Sequence, residues 1–276
     1  MKVLVNFLAA SAILLTIGLA NAGRIYIPKD ENVLKKYNVF QSRLNSLDPN
    51  KIDVLVWNIY KGKMETWKKD FNDLSDGMDI LILQEAVAHS RVIDDVKRMP
   101  WMEFVFATSW YNSKYLNSET GVMTGSLAAS IKNKWQRSHF LEPIIHTPKM
   151  TLFTEYRIKD TPKTLLVGNI HGINFVRAFK LKHMLEQAKK YIKNHQGPVI
   201  FAGDFNTWSK TKIGHMNKVL TDLGLKSVSF EKDLRTSVKG FYLDHVWTRG
   251  LKVLSSHVPD VDGSDHKPMV LKTQLL

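Results

Sequence analysis

Short apolar runs that stop on a polar side chain are the feature that most restricts what this chain can fold into. DVLVW (53–57) runs into Asn58, DILILQ (79–84) into Glu85, and VIFAG (199–203) into Asp204, with Asn206 two positions later. TLLVGNIH carries Asn169 and His171 near its end, and YLDHVW carries Asp244. Runs this short, rich in Val, Ile and Leu, read as β-strands. Further strands are expected at 103–108, 122–130, 151–158, 251–258 and 268–275, with a polar, aromatic loop over 109–120. The clearest helix has Leu181, Met184, Leu185, Ala188, Tyr191 and Ile192 at three- and four-residue steps, Lys side chains opposite, and Gly197-Pro198 beyond its end. Helices are also expected at 64–78, at 88–99 before Pro100, and at 212–223. Helices separate only some of the strands, so the pattern describes mixed α/β sheets with helices outside rather than a strict βαβ repeat.

The chain has 276 residues, 44% of them hydrophobic, which suits one large domain. Its first residues stand apart. Lys2, an apolar stretch to Ala20 and the exit Ala20-Asn21-Ala22 have the layout of a secretory signal. Residues 1–22 are therefore expected to be a signal peptide cleaved near Ala22, leaving a secreted or periplasmic protein; an uncleaved anchor is the alternative. Val3 to Ala20 is short against the about 20 apolar residues a membrane span needs. Residues 23–51 read as an N-terminal lead-in with a short helix near Lys35 to Ser46, and 52–276 as the functional domain.

Cysteine is absent, which excludes disulfides, thiolate metal sites and a cysteine nucleophile. The net charge of +13 favours polyanionic partners: nucleic acid, or an anionic lipid or membrane surface. SWYNSKY brings Trp110, Tyr111, Lys114 and Tyr115 together, and IKNKWQR brings Lys132, Lys134, Trp135 and Arg137. Aromatic rings among cations can stack on bases while the cations meet phosphates, or can lie at a lipid interface. They can equally anchor loops to the core. No protein partner is read from the sequence, and a monomer is expected.

The polar strand ends carry the chemistry. Residues two apart in a strand share a face, so Asp204 with Asn206, and Asn169 with His171, are expected to point together. Each residue alone has an ordinary role open to it: Asn58 or Glu85 in a turn, Asp204 as a helix cap, Asp244 in a solvated hairpin, His171 in the core. Together with Asp265 and His266 of GSDHKPMV, they are the oxygen ligands and proton carriers of a metal-assisted hydrolase. No G-x-S-x-G elbow, phosphate-binding P-loop or H-E-x-x-H helix accompanies them.

WNIYKGK, LILQEA, NIHGIN, GDFNTW, LDHV and SDHKP occur in this order, and with them the chain resembles the endonuclease/exonuclease/phosphatase superfamily. That group includes deoxyribonuclease I, abasic-site endonucleases, inositol-polyphosphate 5-phosphatases and neutral sphingomyelinases; the similarity is greatest to its YafD-like bacterial subgroup. It covers roughly residues 52 to 275. The resemblance implies a four-layer α/β sandwich of two packed mixed β-sheets flanked by helices. It implies Mg²⁺ as cofactor, with Mn²⁺ or Ca²⁺ as alternatives, held by Glu85 with Asn58 and with Asp265 nearby. It implies that Asp204 orients or deprotonates the attacking water, that Asn206 holds phosphate or the metal shell, and that His266 contacts the scissile phosphate with Asp244 orienting it. His171 matches a position that is His in some members and Asn in others. The activity implied is a phosphodiesterase, a nuclease first, with a sphingomyelinase-like or phosphoinositide phosphatase-like lipid hydrolase, or a non-catalytic secreted effector, as alternatives. The loop NSETGVM departs from the nuclease pattern, and no role is assigned to Glu119 or Thr120.

Overall fold

The computed structural model describes residues 24–39, 44–88, 91–113 and 118–276. The signal-peptide expectation and Lys114 and Tyr115 of SWYNSKY lie outside these residues. In chain order the strands are β1 (Ile25–Tyr26), β2 (Leu34–Tyr37), β3 (Ile52–Asn58), β4 (Ile80–Val87), β5 (Glu103–Asn112), β6 (Ser118–Ser126), β7 (Ser130–Arg137) and β8 (Met150–Arg157). They continue with β9 (Thr164–His171), β10 (Val199–Asp204), β11 (Lys226–Ser227), β12 (Ser237–Val238), β13 (Phe241–Tyr242), β14 (Asp244–Arg249), β15 (Leu251–His257) and β16 (Met269–Leu275). The α-helices are α1 (Trp67–Ser75), α2 (Arg91–Lys97), α3 (Ala178–Lys193) and α4 (Lys210–Thr221).

Two mixed sheets pack face to face. One runs β1-β5-β6-β4-β3-β16-β15 with β2 added on β5; the other runs β11-β14-β10-β9-β8-β7. The alternation of side chains explains why the strands are apolar throughout. Val54, Val56, Ile80 and Ile82 of one sheet meet Leu165, Val167, Ile200 and Ala202 of the other in the central core. Their neighbours point the opposite way: Leu55, Trp57, Leu81 and Leu83 lie under Trp67, Phe71, Val92 and Val96 of α1 and α2. Leu166 and Phe201 lie under Leu181, Leu185, Met216 and Val219 of α3 and α4. A strand buried on both faces has no solvent side to carry polar residues, and the result is the four-layer sandwich.

Two sequence expectations are corrected, and one strand was not expected. The helix near Lys35 is the strand β2, paired antiparallel with β5 from Leu34↔Ala107 to Tyr37↔Phe104. Its lysines are held there by sheet carboxylates, Lys35 by Glu119 at 2.5 Å and Lys36 by Glu103 at 3.2 Å. The expected loop 109–120 is taken up at both ends by β5 and β6, which pair from Trp110↔Thr120 to Asn112↔Ser118. IKNKWQR belongs to the unanticipated edge strand β7, where Trp135 packs on the core under Arg137, 5.1 Å from its ring centre. Among the described residues, no helix is long and apolar enough to cross a membrane.

One buried polar bridge joins the sheets just below their rim. Gln84 Nε2 donates to Asn169 Oδ1 at 2.8 Å, and Asn169 Nδ2 donates to the carbonyls of Leu83 and Met123 at 3.1 and 2.9 Å. Asn169→Leu keeps the volume but strands these donors and acceptors in the core. It is expected to lower stability by about 3 kcal/mol, read as a fall in the urea midpoint at unchanged slope. An unaltered midpoint would remove the bridge from the account of sheet packing.

Candidate active site

Strand direction brings the polar ends to one rim. β3 and β4 are parallel, with Asn58↔Gln84 in register, so both deliver their C-terminal ends to the same edge. β9 and β10 do likewise in the facing sheet, and antiparallel β14 starts there. His171, Asp204 and Asp244 are consecutive partners across β9, β10 and β14, and cross-strand partners present their side chains side by side. His266 arrives on the turn before β16 and is anchored there: Trp57 Nε1 donates to its carbonyl at 2.8 Å, and Ser264 Oγ donates to the Asn58 carbonyl at 2.6 Å.

The hydrogen bonds form one network. His266 Nδ1 lies 2.7 Å from Asp244 Oδ2. Asp204 accepts from the Asn206 backbone N–H at 2.8 Å, from Asn206 Nδ2 at 3.2 Å and from Asn58 Nδ2 at 3.1 Å. His171 Nε2 stands 3.6 Å from Asp204 Oδ2. Asp204 and Asn206 do meet, but through a turn: the strand ends at Asp204, and Asn206 adopts φ 54°. Gly203, with φ 138°, is required in this turn because a Cβ would stand 2.1 Å from the Ile170 carbonyl. The helix cap is Ser209, which accepts from Lys212 N–H, so Asp204 is left for the cleft. Asp244 is buried rather than in a solvated hairpin. Its carbonyl accepts from Arg235 Nη1 at 2.9 Å, while Arg235 Nη2 holds Asp233 at 2.6 Å.

A cleft of about 300 Å³ opens over this network, with Glu85, His171, Asp204, Asn206, Asp265 and His266 in its wall. Glu85 reaches it through an irregular backbone: it adopts φ 52° where the β4–β6 pairing shifts register between Leu83 and Ala86. Such a bulge re-aims a side chain. Among the described residues, no hydrogen bond or salt bridge engages the Glu85 carboxylate. Asp265 is exposed at the mouth and accepts from Ser264 Oγ at 3.3 Å. Asn58 sits beneath the cleft floor; its Nδ2 braces Asp204 and its Oδ1 accepts from Tyr60 N–H at 3.2 Å.

The donor set fits a hard divalent cation. Glu85 and Asp265 offer carboxylate oxygens at the open side, with Asp204 below. Asp204, Asp244 and His266 also place potential ligand atoms within 4.8 Å of one another. An ion there would displace the 2.7 Å His266–Asp244 contact, so the Glu85 side is the better match.

Electrostatics separate the two histidines. Burial opposes a charge on His266, but the Asp244 carboxylate beside it, helped by Asp204 and Asp265, raises it to about 10. His171 is held well below its ordinary value by burial and by the charges of Lys149, His266 and Lys61. His266 is therefore a cation at neutral pH and His171 a neutral imidazole. Burial pushes Asp204 upward despite the pull of His266.

Several cleft residues escaped the sequence reading. Lys61, at φ 60° in the turn Tyr60–Gly62, and Lys149 bring cations into the cleft wall; Trp110 lies with them, 5.6 Å from Lys61 Nζ. Lys149 pairs with Glu142 at 3.4 Å. Lys212 is buried behind the site, with Nζ 3.0 Å from the Asn206 carbonyl and 4.3 Å from the centre of the Trp208 ring; burial lowers it to about 8. The Lys-Gly pair after WNIY was a usable signal for Lys61. Nothing local marks Lys149 or Lys212. Thr120 lines the cleft, whereas Glu119 is tied to Lys35 and Thr108.

The fold is of the deoxyribonuclease I-like type, and the chain belongs to the Endonuclease/Exonuclease/phosphatase family, whose profile it matches over residues 55–266. Members act on phosphoester bonds and are generally dependent on a divalent metal. Its curated relatives include a UPF0294 protein of Vibrio campbellii, 35% identical over 81% of this chain and 78% of the other. Another, from Photorhabdus laumondii, is 33% identical over 80% and 83%. Among solved structures, a family protein of Bacteroides thetaiotaomicron superposes with a TM-score of 0.64 at 13% identity, over 82% of this chain and 98% of the other. The human Nocturnin catalytic domain with bound sulfate gives 0.61 at 16%, over 88% and 98%. At these identities the structures show the fold.

Proposed function

We propose that this protein is a Mg²⁺-dependent phosphodiesterase acting after export, in the periplasm or outside the cell. The observation that carries the reading is that Glu85, Asp204, Asp265 and His266 share the wall of one cleft, with buried Asp244 holding His266 at 2.7 Å. A divalent cation held by Glu85, with Asp265 beside it, would supply a sink for charge on the phosphoryl oxygens. The other steps belong to this chain's own residues. Asp204, fixed by three donors, accepts a hydrogen bond from the attacking water and takes its proton. His266, kept protonated by Asp244, donates to a non-bridging oxygen while the P–O bond to the leaving group breaks, and the departing alkoxide takes its proton from solvent. His171, neutral, can accept a proton or a hydrogen bond but does not add charge. Asn206 holds Asp204 in place, its Nδ2 donating to Asp204 and to the Gly172 carbonyl at 3.0 Å, and Lys61 and Lys149 in the cleft wall hold the phosphate.

Nucleic acid is one substrate class the cleft fits, supported by the net charge of +13 and by Trp110 beside Lys61 in the cleft. IKNKWQR no longer contributes, because its Trp is committed to internal packing. One observation favours the lipid alternative: the cleft mouth is apolar, with Ile145 and Phe175 both in its wall and exposed. The test is a screen of the purified protein with Mg²⁺ against duplex DNA, single-stranded DNA, RNA, sphingomyelin and inositol phosphates. Turnover of any of these that is lost in His266→Ala supports the reading. Turnover unchanged in both His266→Ala and Glu85→Ala would reject this site.

The pH profile follows from the same charges. Asp204 must be ionised and His266 protonated. kcat/KM is expected to rise with pH as Asp204, pushed up to about 7, loses its proton, and to fall as His266 loses its own near 10. Asp204→Asn is expected to abolish the acid limb; an identical acid limb in that variant would move the base elsewhere.

A further inference from the structure

We infer that the rim of the cleft formed by residues 139–149 and 172–183 is a docking surface for an anionic lipid bilayer, which turns the cleft toward the phosphoester groups of that surface. The inference rests on the hydrolase reading only for what is cleaved; docking stands on its own observations.

The first is clustering. Of fifteen exposed large apolar side chains among the described residues, five lie on this rim: Leu141, Ile144, Ile145, Phe175 and Phe179. Ile144 is 75% exposed, Phe175 63%, Phe179 51% and Ile145 45%. The two segments are neighbours. The Asn174 backbone N–H donates to Glu142 Oε1 at 3.0 Å, the Phe140 and Phe179 rings are centred 5.8 Å apart, and Pro143 shares a shallow depression with Phe175 and Phe179. Apolar side chains gathered this densely on a surface mark an interaction site. Phe175 also adopts φ 53°, which holds its ring outward on a sparsely populated backbone conformation.

The second is charge. Lys149, Arg177, Lys180 and Lys182 stand in these segments, and their one carboxylate, Glu142, is buried and paired with Lys149. The rim thus presents apolar groups with an unopposed positive border. Aliphatic side chains insert at the boundary between headgroups and acyl chains while Lys and Arg meet lipid phosphates. Three of the five apolar residues are aliphatic and have no ring to stack on a base, which favours a bilayer over single-stranded nucleic acid. The third is continuity: Ile145 and Phe175 line both the rim and the catalytic cleft, so a bilayer on the rim meets the cleft opening.

The test is co-sedimentation of the full-length protein with vesicles of phosphatidylcholine, or of phosphatidylcholine with phosphatidylglycerol. Residues 3–20 are themselves apolar, so wild type and variants are compared in the same form. Ile144→Ser/Phe179→Ser, at two positions outside the cleft wall, is expected to lower partitioning at least about tenfold. Arg177→Glu/Lys180→Glu is expected to remove the preference for the anionic vesicles. His266→Ala should bind vesicles as wild type does. The Ser variant should hydrolyse a soluble phosphodiester, bis(p-nitrophenyl) phosphate, at the wild-type rate. If no substrate is turned over but vesicle binding still depends on the rim, the hydrolase reading fails and docking stands. Undiminished vesicle binding by both rim variants overturns the inference. So does a wild-type dimer in light scattering that the Ser variant dissolves, which would give the rim to a second copy of the chain. Loss of single-stranded DNA binding without loss of vesicle binding overturns it as well.

Discussion

Asp204→Asn lowers kcat/KM by about 10³-fold at neutral pH while the protein stays folded, because general-base and electrostatic contributions of this kind are each worth about 10²–10⁴. The substitution is close to isosteric. The amide oxygen can still accept from the Asn206 backbone N–H, now 2.8 Å from Asp204 Oδ1. What disappears is the negative charge and the basic lone pair facing the cleft. The amide NH₂ would face the Asn58 and Asn206 side-chain amides, which now donate to Asp204 Oδ2 at 3.1 and 3.2 Å. Flipping either amide would break another bond, Tyr60 N–H to Asn58 Oδ1 at 3.2 Å or Asn206 Nδ2 to the Gly172 carbonyl at 3.0 Å, so a loss of stability of about 1–3 kcal/mol is expected, which leaves the protein folded. Near-UV circular dichroism and the thermal midpoint check the fold, and steady-state kinetics on the substrate found in the screen check the activity. A loss smaller than threefold would remove Asp204 from the reacting centre.

Glu85→Gln is the second large effect. Losing the carboxylate is expected to reduce kcat/KM by at least about 10²-fold at fixed Mg²⁺ and to raise the Mg²⁺ concentration needed for half-maximal rate. Removing divalent cations with EDTA is expected to abolish wild-type turnover, and added Mg²⁺ to restore it. The readout independent of turnover is calorimetric titration with Mg²⁺, in which the variant binds more weakly than wild type. Full activity in EDTA would end the metal reading. Equal Mg²⁺ affinity in the variant would transfer the ion to the Asp204, Asp244 and His266 group, whose ligand atoms lie within 4.8 Å of one another. The backbone argues for Glu85: a non-glycine residue at φ 52° beside a register shift is held there by its surroundings, and its side chain gains access to the cleft from that conformation.

The strands that build the centre were legible in the sequence because of how they are buried. DVLVW, DILILQ and VIFAG are covered on both faces, by the facing sheet and by helices, and so show no polar alternation to confuse with a helix. The helix at 178–193 was equally plain, since Leu181, Leu185, Ala188 and Ile192 form one apolar stripe. β2 and β7 were missed for the opposite reason. They are edge or near-edge strands with Lys-rich outer faces, and their pairing is decided by partners far along the chain, Phe104 to Ala107 and Met150 to Tyr156. Local propensity carries no record of those partners.

The candidate site divides along the same line. The sequence by itself determined which residue types end the central strands, and so placed Asn58, Glu85, His171, Asp204, Asn206, Asp244, Asp265 and His266 among the groups for metal-assisted chemistry. The tertiary structure decided their relations. It set His171, Asp204 and Asp244 in one register row, protonated His266 through Asp244 while leaving His171 neutral, turned Asn58 to brace Asp204, and brought Lys61, Lys149 and the apolar rim to the cleft. The reason is physical: a side chain's identity is local, but its charge state and its partners depend on burial and on Coulomb forces from residues that the fold alone brings within a few ångströms.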